Sequence, residues 1–371
     1  MEHPEIVYRM AFAAVRGMNR TLATALLERC GSEKEFFMLP PTRLSSLMGH
    51  ESKIFALDYR RKLVDEAAKE LDFVECHNVA TRYFTDEDYP RRLHEAVDAP
   101  LMLYTLGEAD LNTGAIVGIV GTRHCTAYGA QMTDELITGL KELLPVEPLI
   151  VSGLAFGVDV SAHNGALQNG LPTAAVLAHG LNTIYPAQHR SVAAEMVRNR
   201  GILVTDYRST DAIHKGNFLA RNRIVAGLCD CLVVVESAEK GGALVTANIA
   251  VAYNRDVFAV PGRAADRYSR GCNRLIARNV AQLVTSAEDI VEAMRWPRSE
   301  KQEAIQQELF PQLSPEETAV SDYLVERGEA TLNELSVAAG MPVGKLMAVM
   351  IDMEFRNLVI SIPGGRYRPA R

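Results

Sequence analysis

Between residues 111 and 297 the chain alternates short, unbroken apolar runs with longer amphipathic ones, and this alternation limits the fold more than any other feature. The apolar runs fall at 115–120, 149–152, 174–177, 202–204, 231–236 and 256–260. None shows the polar alternation of a strand with one wet face, so each is expected to be covered on both sides. Helical runs separate them at 130–144, 160–168, 191–198, 219–227 and 246–253. Strand and helix in turn predict an α/β fold, with a Rossmann-like, doubly wound and mostly parallel sheet.

The flanks differ. Residues 1–75 predict a small helical domain, with Leu22, Leu26 and Leu27 at helical spacing and a second amphipathic run over 62–73. Arg16-Gly17-Met18-Asn19 sits between two such stretches, as in a helix-hairpin-helix or SAM-like element. With one glycine and an acidic surrounding, that turn is expected to pack rather than grip DNA. The sheet-forming domain is placed at 76–297 and a polar linker at 298–312. Over 313–371, Ser314-Pro315-Glu316-Glu317 and Thr331-Leu332-Asn333-Glu334 are capping boxes; a third helix over 342–356 and a hairpin around Gly364-Gly365 complete a winged helix. Its third helix carries only Lys345 and Arg356 against Asp352 and Glu354, a poor set for reading a major groove. A protein-contact role is expected instead.

Charge sharpens this division. The chain totals -7, yet residues 198–278 hold 13 basic against 7 acidic side chains. Anionic partners are therefore expected at one central stretch only. No run approaches the ~18–20 apolar residues of a membrane helix, and a soluble, cytoplasmic protein with no membrane partner is expected. The six cysteines form no C-x-x-C pair, so neither disulfides nor zinc is indicated; Cys229 and Cys231 are expected to be buried thiols.

In an open parallel sheet, ligands gather at the carboxyl ends of the strands, where helix amino termini present free amides. After the first strand stand Gly121, Thr122 and Arg123: a residue permitting close backbone approach, a helix-capping hydroxyl and a fork matched to phosphate. After the second stand Ser152 and Gly153, with Asp159 expected to cap the following helix and His163 expected to make a structural hydrogen bond. Lys215, Gly216, Asn217, Phe218 and Arg221 open a helix, with Phe218 offering a flat face on which a base stacks. Phe218 as core, and Arg221 and Arg223 paired with Asp206 or Glu236, are the plainer alternatives. Lys240, Gly241 and Gly242 make another glycine-rich turn. Arg263, Arg267, Arg270, Arg274 and Arg278 follow, as a solvated face or the extension of a phosphate track. Neither G-x-G-x-x-G nor a Walker motif occurs, and no cofactor is expected.

In order, GIVGTRHCTAYG, SGLAFGVDVSAHNGAL, GLNTIYPAQHR, NFLARNRIVAGL, GGALVTANIA, VFAVPGR and GCNRLIARNVAQLV resemble the DNA-processing protein A family (DprA, also called Smf). The resemblance implies a homodimer that binds and protects single-stranded DNA without base preference. It implies, too, that the protein promotes loading of the RecA recombinase in natural transformation. The implied strand-binding residues are Arg123, Ser152, Gly153, Lys215, Gly216, Asn217 and Phe218. Thr205-Asp206-Tyr207 and Glu239-Lys240 depart from the family's usual Ser-Glu-x-Pro and Ser-Gly, which bears on the shape of the rim. No nucleophile with a base is placed in these loops, so binding without covalent chemistry is expected. The alternatives are a Rossmann-like nucleotide or nucleoside hydrolase, built on Gly241-Gly242, Thr246 and Glu236, and a winged-helix transcription regulator.

Overall fold

A computed structural model describes residues 3–299, 313–356, 358–362 and 365–370. The linker expected at 298–312 thus lies, from residue 300 onward, outside the described residues. Residues 1–299 and 300–371 fall into two compact units.

The first unit opens with α1 (Glu5–Ala13), α2 (Arg20–Cys30), α3 (Glu33–Met38), α4 (Pro41–Met48) and α5 (Leu57–Cys76). The turn at 16–19 does join two helices, and Asn19 caps α2 by accepting from the Leu22 amide at 2.9 Å. There follow β1 (Ala80–Tyr83), α6 (Arg91–His94) and β2 (Met102–Gly107). The alternating region then runs β3 (Ile116–Val120), α7 (Ala127–Leu143), β4 (Leu149–Ser152), α8 (Val158–Gln168), β5 (Thr173–Val176), α9 (Arg190–Arg198) and β6 (Ile202–Thr205). It continues with α10 (Lys215–Leu228), β7 (Cys231–Val234), α11 (Gly242–Ala252), β8 (Asp256–Ala259), α12 (Arg270–Ala277), β9 (Gln282–Leu283) and α13 (Ala287–Ala293).

All nine strands join one sheet in the order β1-β2-β6-β5-β4-β3-β7-β8-β9. Neighbours from β6 to β9 pair in parallel; β1 and β2 form an antiparallel edge, β2 running against β6. Every residue of β3, β4, β5, β6 and β7 is buried, as the unbroken apolar runs required. Pleating sends Val117 and Ile119 to a core with Leu136 of α7, Ala162 of α8 and Ile290 of α13. Ile116 and Val120 meet the opposite core, with Ile224 of α10, Ala247 of α11 and Leu275 of α12.

That second core continues without a break into Val7, Phe12, Leu26, Phe36 and Leu63 of the amino-terminal helices. The division expected near residue 75 is therefore not a gap between compact units: α1 lies against β2 and shares its apolar face. Polar ties join the same parts. Arg208 reaches Glu66 of α5 at 2.9 Å and Asp211 at 3.0 Å, while the Ser209 amide and hydroxyl donate to Glu70 at 2.8 and 2.6 Å. At the foot of the sheet, Asp230 accepts from Arg92 at 2.5 Å and from the Ile116 amide at 2.8 Å, fixing where β7 begins beside β3.

The second unit has helices Pro315–Arg327, Leu332–Ala338 and Val343–Phe355, with a three-stranded sheet of Ala330–Thr331, Arg366–Pro369 and Val359–Ile362. Both capping boxes form, Ser314 with Glu317 and Thr331 with Glu334. Among the described residues no single helix is long and apolar enough to cross a membrane.

Candidate functional site

The chain leaves β3 toward β4, β5 and β6, then returns through α10 to β7 on the other side of β3. The loops after β3 and β7 thus diverge, feeding α7 on one face and α11 on the other. The crevice between them is where open α/β sheets bind ligands. A cavity of about 370 Å³ occupies it.

Eight of the thirteen sequence-predicted site residues line this cavity: Gly121, Thr122, Arg123, Phe218, Arg221, Lys240, Gly241 and Gly242. Arg123 is exposed, and its guanidinium stands 5.8 Å from the ring centroid of Phe218. Phe218 is half-buried and edge-on to Tyr185, with centroids 5.5 Å apart. Phe218 is thus a wall of the cavity rather than core.

The two arginines of α10 part company. Arg223 takes the plainer role, pairing with Asp206 and donating to the Asp98 carbonyl at 2.7 Å. Arg221 turns inward, 5% exposed, and lies on Gly153 so closely that a Cβ there would sit 1.5 Å from Nη1. Its Nε has no hydrogen-bond partner, and it is in no ion pair with Asp206 or Glu236. Burial pulls the Arg221 guanidinium below its ordinary range, and nearby Asp159 opposes that shift. Burial raises the Asp159 carboxyl in turn, with Arg221 and the amides of Ala155 and Gly153 opposing. Asp159 is not the cap of α8: Gly157 holds that position, and Asp159 lies inside the first turn, accepting from the Ala155 amide at 3.4 Å. Among the described residues it is the one carboxylate lining this cavity, against Arg123, Arg221, Lys240 and Arg267.

The remaining predicted residues stand elsewhere. Ser152 is fully buried, its hydroxyl donating to the Ile119 carbonyl at 2.6 Å, so it braces β4 against β3. Asn217 is also buried and donates to the carbonyls of Ala178 and Ala212 at 3.2 and 3.1 Å, anchoring the start of α10. Gly153 is the seat of Arg221. Lys215 and Gly216 are exposed in the first turn of α10, outside the cavity lining.

The glycines are not interchangeable. A Cβ on Gly121 would meet Val158 at 2.4 Å, so that glycine admits α8 rather than a ligand. Gly242 has nothing within 4 Å of its Cβ position, and it begins α11, whose free amides and dipole favour an anion. His163 is buried, hydrogen-bonded through Nδ1 to Thr173 at 2.7 Å, and burial depresses its pKa to about 3. Glu236 holds Thr126, the cap of α7: its two oxygens accept from the Thr126 amide and hydroxyl at 2.9 and 2.6 Å. Cys229 and Cys231 are buried, and burial pushes both thiols up. Among the described residues, no group of His, Cys, Asp and Glu is placed to hold a metal.

Sequence reasoning left several lining residues unassigned. Tyr268, shared by this cavity and an adjoining one, stacks on His124 at 6.0 Å and lies beneath Arg267 at 5.6 Å. The signal for it was an aromatic set inside the arginine run. Tyr185, which backs Phe218 from outside the lining, had no comparable signal, because only the fold brings the loop after β5 against α10.

The sequence model of the family described as DNA recombination-mediator protein A matches residues 80–295. The chain belongs to this family. It is 40% identical to DNA processing protein DprA of Streptococcus pneumoniae over 56% of this chain and 71% of the relative. Identity to protein Smf of Synechocystis is 30%, over 99% of this chain and all of the relative. Among solved structures, DNA processing protein A of Streptococcus pneumoniae superposes with a TM-score of 0.65 at 31% identity, covering 79% of this chain and 98% of that one. A Helicobacter pylori DNA processing protein A, whose structure is described as giving a single-stranded DNA binding mode, matches with a TM-score of 0.51 at 29% identity, covering 58% and 95%.

Proposed function

We propose that this protein binds single-stranded DNA without base specificity at the β3–β7 crevice, and that it does so in the cytoplasm during recombination of incoming strands. The observation that carries the reading is the cavity itself, which gathers Arg123, Arg221, Lys240 and the start of α11 around the face of Phe218. Phosphates take the cations and amides; bases take the aromatic face, a contact worth about 1–3 kcal/mol per base and indifferent to sequence. The single-stranded DNA binding described for the Helicobacter pylori relative supports it. Protection of the strand, homodimer formation and loading of RecA complete the proposal, on family membership.

The crevice binds without covalent chemistry in this reading. Glu236, on which a hydrolase would depend, spends both oxygens on Thr126. The carboxyl-terminal unit serves as a protein-contact module. The two bases of its third helix are engaged, Lys345 with Glu316 and Arg356 with Glu317 and Asp352. The exposed positions Val343, Met347, Ile351 and Phe355 follow one another at intervals of four and are apolar.

A salt-series titration of single- and double-stranded oligonucleotides tests the reading, with Arg123→Ala, Lys240→Ala and Phe218→Ala, all three at residues that line the cavity. The two cationic changes are expected to reduce affinity and shift the salt slope by about 0.7 each, and Phe218→Ala to reduce affinity alone. Unchanged affinity in all three folded variants refutes it. Full thermal stabilisation by a mononucleotide supports the hydrolase instead.

A further inference from the structure

A second cavity, of about 800 Å³, adjoins the first along the carboxyl edge of the sheet. The two share Arg267 and Tyr268. Beyond that pair the second cavity is lined by Tyr128 at the start of α7 and by Pro261, Gly262, Arg263, Asp266 and Ser269 after β8. Tyr128 is 44% exposed, and its position is fixed by a hydrogen bond from its hydroxyl to the Pro261 carbonyl at 2.9 Å. Arg263 and Arg267 are both exposed, and among the described residues neither is in an ion pair. Glu236 also borders the cavity, but both of its oxygens are taken by Thr126. Asp266 is the carboxylate there with no cation on it.

We propose that this second cavity is a further base-stacking subsite, with Tyr128 and Tyr268 receiving bases and Arg263 and Arg267 receiving phosphates of a strand that leaves the first cavity. The proposal rests on the reading of the first cavity as a strand-binding site. Three observations carry it. The cavities share Arg267 and Tyr268, so a strand that follows those two side chains meets both linings. The dividing wall is an aromatic ring with a guanidinium over it, which is strand-binding chemistry rather than a barrier. And the lining holds two unpaired cations beside an exposed ring that is anchored through its hydroxyl and has its face to spare. The exposure of both arginines, and the place of Arg267 in the lining that also holds Arg123, favour an extended polyanion over a small molecule.

The test is length. Affinity is measured for oligothymidines from about 4 to about 16 nucleotides, using the full chain and the variants Tyr128→Ala, Tyr128→Phe, Arg263→Ala and Asp266→Asn. Tyr128 and Arg263 line the second cavity and not the first. For the shortest oligomers that bind, all four variants are expected to match the unaltered chain. Above a threshold length, Tyr128→Ala and Arg263→Ala are expected to lose about 5- to 100-fold, Tyr128→Phe to keep most of the affinity, and Asp266→Asn to tighten binding. Equal fractional loss at every length overturns the subsite, because the changes then act on the first cavity or on the fold. No loss at any length, with Arg123→Ala and Phe218→Ala still weakening the shortest oligomers, overturns the subsite and leaves the first cavity standing. If Arg123→Ala and Phe218→Ala are without effect as well, the reading of the first cavity falls and takes the subsite with it.

Discussion

Gly153→Ala is the sharpest perturbation available, because the missing side chain of Gly153 is the seat of Arg221. A methyl there would stand 1.5 Å from Nη1, 2.3 Å from Cζ and 2.4 Å from Nη2 of that guanidinium. Carbon and nitrogen rest comfortably near 3.5 Å, so the guanidinium must retreat by about 2 Å, toward the cavity it lines. It thereby leaves the place over Gly153, on the wall of the cavity, from which the proposed function has its charge meet a phosphate. A charged hydrogen bond is worth about 1.5–3 kcal/mol, so affinity for oligothymidine is expected to fall about 10- to 150-fold. The assay is a double-mutant cycle read by anisotropy, with thermal unfolding in parallel. In an Arg221→Ala background the methyl has room, and adding Gly153→Ala is expected to cost less than about 0.5 kcal/mol. Equal losses from Gly153→Ala in both backgrounds would refute the reasoning, since the glycine would then act without the arginine; so would undiminished affinity in the single variant.

Removal of residues 313–371 is expected to leave single-strand affinity nearly unchanged, and a collapse in a still-folded truncation would move the binding site to the carboxyl-terminal unit. Buried His163 titrates near 3 in the folded chain and near its ordinary 6.5 when unfolded. Between these values the unfolded chain holds the extra proton, so stability falls as pH drops below about 6.5, by up to about 1.4 kcal/mol per pH unit from this group. Chemical denaturation at stepped pH should show a shallower acid slope for His163→Gln. Asp230→Ala removes the acceptor of both Arg92 and the Ile116 amide and is expected to cost about 1.5–3 kcal/mol of stability, measured by urea unfolding, with DNA affinity in the folded protein unaltered.

The central fold was legible because a strand buried on both faces is apolar along its length, as at 231–234 and 149–151. The edge strand β1 escaped notice for the complementary reason. Ala80-Thr81-Arg82-Tyr83 has only one buried residue, so its composition announces nothing. Likewise, Leu63 and Ala67 gave α5 its period, but whether those residues faced a core of their own or that of the sheet is a tertiary fact. At the crevice, residue type pointed to loops that line the cavity, but not always to the part that each residue plays there. Ser152 and Asn217 offered hydrogen-bonding groups that the backbone claims first. Arg221 and Arg223, two positions apart on one helix, differ by about 200° in direction, which is why one pairs with Asp206 and the other lies over Gly153.

The ties from Arg208 and Ser209 to Glu66 and Glu70 give the amino-terminal helices leverage over the crevice for which strand binding is proposed. These ties span up to 142 positions of sequence and hold the very loop that delivers α10, and with it Phe218 and Arg221, to the crevice. A chain trimmed to the alternating region would keep every strand-facing side chain and lose the strut that aims the helix bearing two of them. Because the core of the sheet runs on into these helices, trimming them should cost stability together with the alignment of α10.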